Sequence, residues 1–221
     1  MEKCLIFGNK DLAELVFETI IQDDADKYDI LGFVVDDAYY NEEDKCCGEH
    51  VYRYSEISSC FDKAEIGIIV CVGYTDMNSG REAVFKKLKQ DGWKISEYVN
   101  RYAIVRAIEW GEGNIVLDGV NIGVKTKVGN GNIFGPGTLW GHHSEMKDYN
   151  FFSAAVSVAG HVRLGSRCFC GNNCTIKDKI VIADKTVVGA GCYLNHNVTK
   201  TDTVWASQGC VKLPSELQRL L

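Results

Sequence analysis

His142 and His143 are the residues best suited to chemistry in this chain. They interrupt a stretch otherwise built of glycine, small and apolar residues. Imidazole is half-deprotonated near neutral pH and can take a proton from an incoming nucleophile, so the pair reads as a candidate general base. The plain alternative for two adjacent histidines on a coil edge is a harmless surface feature. A second group of candidates lies nearer the N-terminus. Gly8-Asn9-Lys10 has the form of a strand-to-helix turn whose backbone N–H groups could meet a nucleotide phosphate. Lys10 and Ala13 stand where the glycines of a dinucleotide fingerprint would be, which argues against a redox dinucleotide. Asp36 and Asp37 end the next apolar run, where such sheets hold a ribose or base through carboxylates; the plain alternative is a solvated turn. The loop Gly73-Tyr74-Thr75-Asp76-Met77-Asn78 closes the same edge after a third apolar run, which makes Gly73, Tyr74 and Asn78 substrate-binding candidates.

The elements that must position these residues come in two kinds. Residues 3–8, the run ILGFVVDD and residues 66–73 are apolar strands separated by helical patterns, one through Leu12, Leu15, Val16, Phe17 and Ile20, another through Ala83, Val84 and Leu88. Strands alternating with helices predict βαβ units and a small Rossmann-like parallel α/β domain over 1–100. From Ile104 to Leu194 the pattern changes. An apolar side chain recurs at every sixth position, through Trp110, Val116, Ile122, Val128, Phe134, Trp140, Met146, Phe152, Val158, Leu164, Cys170, Ile176, Ile182 and Val188. No helix has that period and no ordinary strand does, so 101–221 is expected to be a parallel β-helix of hexapeptide rungs. The residue after each inward one is usually small, as in Gly123, Gly141, Ala159 and Gly189, which is expected to let the chain turn each corner. Thr126, Asn132, Thr138, Ser144, Cys168, Cys174, Thr186 and Cys192 fall on a second interior phase. A short helix starting near Pro214 is expected at the end.

A net charge of -6 and a pI near 5.4 argue against a nucleic-acid partner. The N-terminal MEKCLIFG is too short for a signal peptide, and no apolar run approaches a membrane span, so no membrane insertion and a cytoplasmic location are expected. The ten cysteines contain no CxxC pair and read as reduced apolar fillers. Cys168, Cys170 and Cys174, with His161 nearby, read as core thiols rather than a zinc site.

The hexapeptide run with HHSEMKDYNFFSAAVSVAGHVRLG, continued by FCGNNCTIKDKIVIADKTVVGAG and preceded by a Rossmann-like half, resembles the bacterial nucleotide-aminosugar N-acetyltransferases of the sialic-acid O-acetyltransferase-like family. The match spans nearly the whole chain and is strongest from Gly141 to Gly191. The resemblance implies a left-handed parallel β-helix, a homotrimer, and acetyl-CoA laid along the groove between neighbouring prisms, with no metal. It implies a nucleotide-linked aminosugar held by the first half, for surface glycan (lipopolysaccharide or capsule) biosynthesis. By position, His142 matches the family's base. Phe151, Gly160, Asn172 and Ala190 fall where the family lines its coenzyme A groove, and Lys10, Asp36 and Asp37 fall where it holds the nucleotide. Two departures stand out. His143 replaces the Glu or Asp that commonly follows the base, leaving Glu145 or Asp148 as the nearest carboxylates, and the usual Gly-x-Pro near the end of the helix is here Ala206-Ser207-Gln208-Gly209-Cys210. The implied reaction is N-acetylation of an amino-dideoxysugar by direct attack, with a sugar O-acetyltransferase as the nearest alternative. A γ-carbonic-anhydrase-like metalloenzyme needs three histidines converging on zinc, and His142, His143, His161 and His196 lack the close second pair of that family; a non-catalytic sugar-nucleotide-binding protein is the remaining reading.

Overall fold

The computed structural model describes residues 1–207. The expected terminal helix and residues 208–210 of the departing segment lie outside the described residues.

The N-terminal half is an open sheet. Its strands are β1 (Glu2–Phe7), β2 (Tyr28–Val35), β3 (Lys45–Cys46), β4 (Glu49–Arg53), β5 (Gly67–Val70) and β6 (Lys94–Ser96), in the order β3-β4-β2-β1-β5-β6. All neighbours are parallel except the β3-β4 hairpin, so the sheet is mixed rather than wholly parallel. The short half-exposed β4 escaped the sequence reading because its EHVYR buries only Val51. Helix α1 (Asp11–Thr19) covers one face and α3 (Ser79–Gln90) the other, with the short α2 (Ile57–Cys60) between them in sequence. On α1 the buried set is Ala13, Val16 and Phe17, followed by Ile20, while Leu15 faces out at 45% exposure. On α3 it is Arg81, Val84, Phe85 and Leu88, with Ala83 exposed. The connection runs from β1 to β2 and β4 on one side, then to β5 and β6 on the other. The strand order therefore reverses beside the C-terminal ends of β1 and β5, the place where open α/β sheets take ligands.

The second half is a parallel β-helix. Two-residue strands stack into three sheets. The first face runs from β7 (Tyr98–Val99) through Ile115–Val116, Ile133–Phe134, Phe151–Phe152, Phe169–Cys170 and Val187–Val188 to Val204–Trp205. The second holds Ile104–Val105, Asn121–Ile122, Leu139–Trp140, Ser157–Val158, Thr175–Ile176 and Tyr193–Leu194. The third holds Glu109–Trp110, Lys127–Val128, Glu145–Met146, Arg163–Leu164 and Val181–Ile182. From Val116 to Leu194 every hexad residue named above points into one apolar column, where Phe134 and Phe152 stack at 5.1 Å. Burial of these side chains, worth roughly 1.5–3 kcal/mol each, supplies the core.

Two expectations are corrected by the prism. Ile104 does not point inward: it pairs with Asn121 and is 43% exposed, while its neighbour Val105 pairs with inward Ile122. The first coil, entered through β7, is therefore out of step by one residue. The small residues after each inward position also do not make the corners. Corners turn two residues later, where Lys125, His143, Tyr149, Ala155, His161, Arg167, Asn173, Lys179 and Lys185 adopt φ between 55° and 61°. The small residues answer a different need, close stacking: a Cβ on Gly141 would lie 2.3 Å from the backbone of Ala159 in the next coil. The second interior phase is buried as expected. Within it Asn132 joins Asn114 and Asn150 in a ladder of amide hydrogen bonds.

The first face packs on the α1 side of the open sheet, with Tyr98, Ile115, Leu117 and Ile133 against Ile69 and Cys71. Two buried charges pin the halves together. Asp24 accepts hydrogen bonds from Tyr98 Oη at 3.1 Å and Arg101 Nε at 3.0 Å, with Lys27 Nζ at 2.9 Å. Arg81 donates to the carbonyls of Val72 and Gly73 on its own side and to those of Gly131, Tyr149 and Asn150 on the prism. Burial pulls its guanidinium below the ordinary value, yet a guanidinium remains charged at any physiological pH.

Candidate active site

His142 and His143 sit on the corner between the second and third faces, just after the rung Leu139–Trp140. Trp140 is buried in the prism, and the chain then turns outward, which exposes both imidazoles. One coil is 18 residues, as the cross-coil hydrogen bonds show. His161 accordingly falls directly above His143 at the same left-handed corner position, and Lys125 and Lys179 complete that column. The rings of His143 and His161 stack at 4.9 Å and 15°. His142 lies edge-on to both, and its Nδ1 is 2.9 Å from Nδ1 of His143. Above His142 the next coil offers Gly160, where a Cβ would come within 2.8 Å of its Nε2. The imidazole therefore lies in the space that a glycine leaves. The neighbours of His143 partly desolvate it, and His161, Lys125 and His142 add positive potential, so its pKa falls below the usual imidazole value.

His161, which the sequence sets beside the core cysteines and outside any close histidine pair, instead joins His142 and His143. The signal was present, since it follows His143 by one full coil. No carboxylate hydrogen-bonds to His142 among the described residues. Glu145 stands on the third face between Lys127 and Arg163, and Asp148 accepts from the backbone and side chain of Asn130. The ring nitrogens of the three histidines lie within 4.8 Å of one another, close enough to share a metal ion. Against that use stand the positive charge of Lys125 in the same column and the hydrogen bond already made between two of the three rings. Cys168, Cys170 and Cys174 are inside the prism, and burial pushes the Cys168 thiol up to about 12.

The four residues expected along the coenzyme groove do not meet on one prism. Gly160 shares the histidine corner. Asn172 and Ala190 are exposed on the corner between the first and second faces, and Asn172 Oδ1 accepts the N–H of Ala154. Phe151 stands on the first face, stacked on Phe169 at 5.7 Å.

The expected substrate residues gather at the C-terminal edge of the open sheet. Gly8 has φ 121°, and a Cβ there would meet the Cys71 carbonyl at 2.7 Å, so the crossing of β1 and β5 demands glycine. Asn9 and Lys10 follow, with the Lys10 carbonyl accepting from Ala13 and Glu14 at the start of α1. Asp36 is ion-paired to Lys87, whose Nζ also lies 3.6 Å from the Tyr54 ring centre. Asp37 accepts the N–H of Ser55 at 3.0 Å, which holds its carboxyl below the usual range. The Gly73 carbonyl is bound by Arg81. Tyr74 is 59% exposed and packs its ring on Phe151 and Phe169 at 5.2 and 4.8 Å, so this loop reaches the prism. Asn78 turns inward: it is fully buried, its Nδ2 donates to the Cys168 carbonyl and its Oδ1 accepts from Arg81. Its side chain has no free atom to offer a ligand.

No family model matches the chain. Its fold is similar to that of the acetyltransferase domain of PglB from Neisseria gonorrhoeae FA1090, at 17% identity and TM-score 0.81, covering 94% of this chain and 97% of that one. It is also similar to a histidine-to-alanine mutant of GDP-perosamine N-acetyl transferase from Caulobacter crescentus in complex with CoA and GDP-perosamine. There the identity is 20% and the TM-score 0.80, with 93% of each chain covered. WeeI from Acinetobacter baumannii AYE matches at 17% identity and TM-score 0.74, over 91% of this chain and 93% of that one.

Proposed function

We propose that this chain transfers the acetyl group of acetyl-CoA to the amine of a nucleotide-linked amino-dideoxysugar, with His142 as general base. The observation that carries the reading is the imidazole of His142, exposed on a prism corner over a glycine, in a fold similar to that of an N-acetyl transferase holding CoA and GDP-perosamine. The amine attacks the thioester carbonyl, His142 Nε2 takes the proton, and the tetrahedral intermediate collapses with departure of the CoA thiolate, which regains a proton. The only cysteines near that corner in sequence are buried thiols, so no acyl-cysteine step is invoked.

The open sheet, through Gly8, Asn9, Lys10, Asp36, Asp37, Gly73 and Tyr74, is the proposed nucleotide-sugar domain, consistent with its reversal of strand order. The helix is read as left-handed and the first half as Rossmann-like, by likeness to the same structures. The assembly is read as a homotrimer, a reading supported by the separation of the proposed groove residues. Gly160 beside His142 and the pair Asn172 and Ala190 occupy different corners. One coenzyme can touch both sets only where the corner of one prism faces another corner of its neighbour, a head-to-tail contact that closes into a ring.

The test is release of CoA thiol from acetyl-CoA with a panel of UDP-, dTDP- and GDP-linked aminosugars. A hydroxylamine-stable amide on the sugar is expected. A hydroxylamine-labile ester would reassign the enzyme to O-acetylation, and no thiol release with any sugar would overturn the reading.

A further inference from the structure

A general base needs its lone pair aimed at the substrate, and for imidazole this means control of the tautomer. Nε2 of His142 lies over Gly160, and the other nitrogen, Nδ1, is 2.9 Å from Nδ1 of His143. One of the two Nδ1 atoms must carry the proton of that hydrogen bond. If His143 donates, Nδ1 of His142 accepts and the proton of His142 sits on Nε2, where it blocks catalysis. If His143 accepts, Nε2 of His142 is left bare. We propose that His143 is the positioning residue of this site: its neutral imidazole accepts the Nδ1 proton of His142, which keeps the Nε2 lone pair of His142 free. This inference rests on the reading of His142 as the base.

Three further observations support it. No carboxylate among the described residues hydrogen-bonds to His142, and Asp148, one of the two nearest in sequence, is held by Asn130, so no acid takes the task. His161 stacks on His143 from the coil above, and both residues share the same left-handed corner geometry, so the accepting ring is clamped in its plane. The groups facing His143 are His142, His161 and Lys125, and together with desolvation they disfavour a charge on its ring, so it stays neutral and able to accept. A neutral acceptor also differs from a carboxylate in its effect: it sets the tautomer of the base without adding negative charge beside it.

Two substitutions separate acceptor from donor without disturbing the fold. Lysine already occupies this corner of the column at Lys125 and Lys179, with φ of 57° and 61°, and asparagine takes the same conformation at Asn173. An asparagine amide oxygen can accept from His142, whereas a lysine ammonium can only donate. His143→Lys is expected to lower kcat about 10²-fold or more with the KM for acetyl-CoA unchanged, and His143→Asn to recover all but about tenfold of that loss. Histidine ¹⁵N NMR reads the same switch without turnover. His142 should carry its proton on Nδ1 in the wild type and in His143→Asn, and on Nε2 in His143→Lys. Equal rates and equal tautomers in the wild type and His143→Lys would overturn the proposal, as would a His143→Asn variant as slow as His143→Lys. Loss of wild-type turnover on chelation would also overturn it, because the three imidazoles would then be metal ligands. If no aminosugar is acetylated at all, the functional reading fails while the NMR comparison still decides the role of His143.

Discussion

His142 owes its position to a residue without a side chain. Gly160 has no need of a left-handed backbone, so alanine there is conformationally permitted, but its Cβ would come within 2.7 Å of the imidazole. The exposed ring would move aside rather than unfold the prism. Gly160→Ala is therefore expected to leave the melting temperature nearly unchanged while lowering kcat about 10²-fold, the cost of displacing a reacting group by about an ångström. An unaltered rate would mean that Nε2 over Gly160 is not the working nitrogen. His142→Asn removes the base itself and should lower turnover by roughly 10²–10⁴-fold with acetyl-CoA binding retained, as measured by calorimetry. At the other end of the proposed site, Asp36 is held by Lys87 rather than free in solvent. Asp36→Ala is expected to raise the KM for the sugar nucleotide and leave that for acetyl-CoA alone. Lys87→Met, which removes only the partner, should raise it less, and the reverse ranking would mean that the lysine binds the nucleotide.

At the scale of elements, the two halves are joined by charges that only the folded chain reveals. Asp24 is fully buried at the end of the helical segment after α1 and holds Tyr98 and Arg101 of the first coil. Burial pushes its carboxyl up, but hydrogen bonds from Lys27 and Arg101 outweigh this and hold it below its ordinary value. Its folded pKa thus lies below the unfolded value of about 3.9. The stability it contributes is present above that value and is lost as pH falls through the folded one. Asp24→Ala should destabilise by about 1–3 kcal/mol, because the buried Tyr98 hydroxyl loses its acceptor while the partly exposed Arg101 and Lys27 turn to water; chemical denaturation at pH 7 measures it. What could be read beforehand follows from periodicity. A hexad pattern names inward residues at once, and it named Val116 through Leu194 correctly, because each side chain's direction is set by its own strand. It failed at Ile104, where one residue of slip in the first coil turns the side chain outward. Arg81 on α3 and Asn78 just before it were out of reach because a polar residue at the start of a helix gives no local sign that its partners are carbonyls on another element.

At the scale of the whole molecule, the proposed assembly needs a face on which one prism meets the next. On the second face Ile104, Leu139 and Tyr193 are 43–59% exposed, and Val124 on the histidine corner is 49% exposed, one coil below His142. The third face differs. It carries Glu109, Lys127, Glu145 and Arg163 in charge-alternating register, a surface suited to water, before the column ends on exposed Val181. Apolar residues concentrated on one face and on the corner of the candidate base point to that side as the contact between prisms. Leu139 is the sharpest probe because it stands at the start of the rung that carries Trp140 and leads into His142, yet its side chain faces outward and takes no part in the core. Leu139→Glu should leave the prism folded, with an unchanged far-ultraviolet spectrum and a cooperative melt. Placed against its symmetry mates, however, the buried and unpaired carboxylate should break the assembly. Sedimentation velocity at micromolar concentration is expected to give a trimer for the wild type and a monomer for Leu139→Glu, with acetyl-CoA affinity lost in parallel. A wild-type monomer that binds acetyl-CoA would show that one prism makes the whole groove, and Asn172 and Ala190 would then have no part in it.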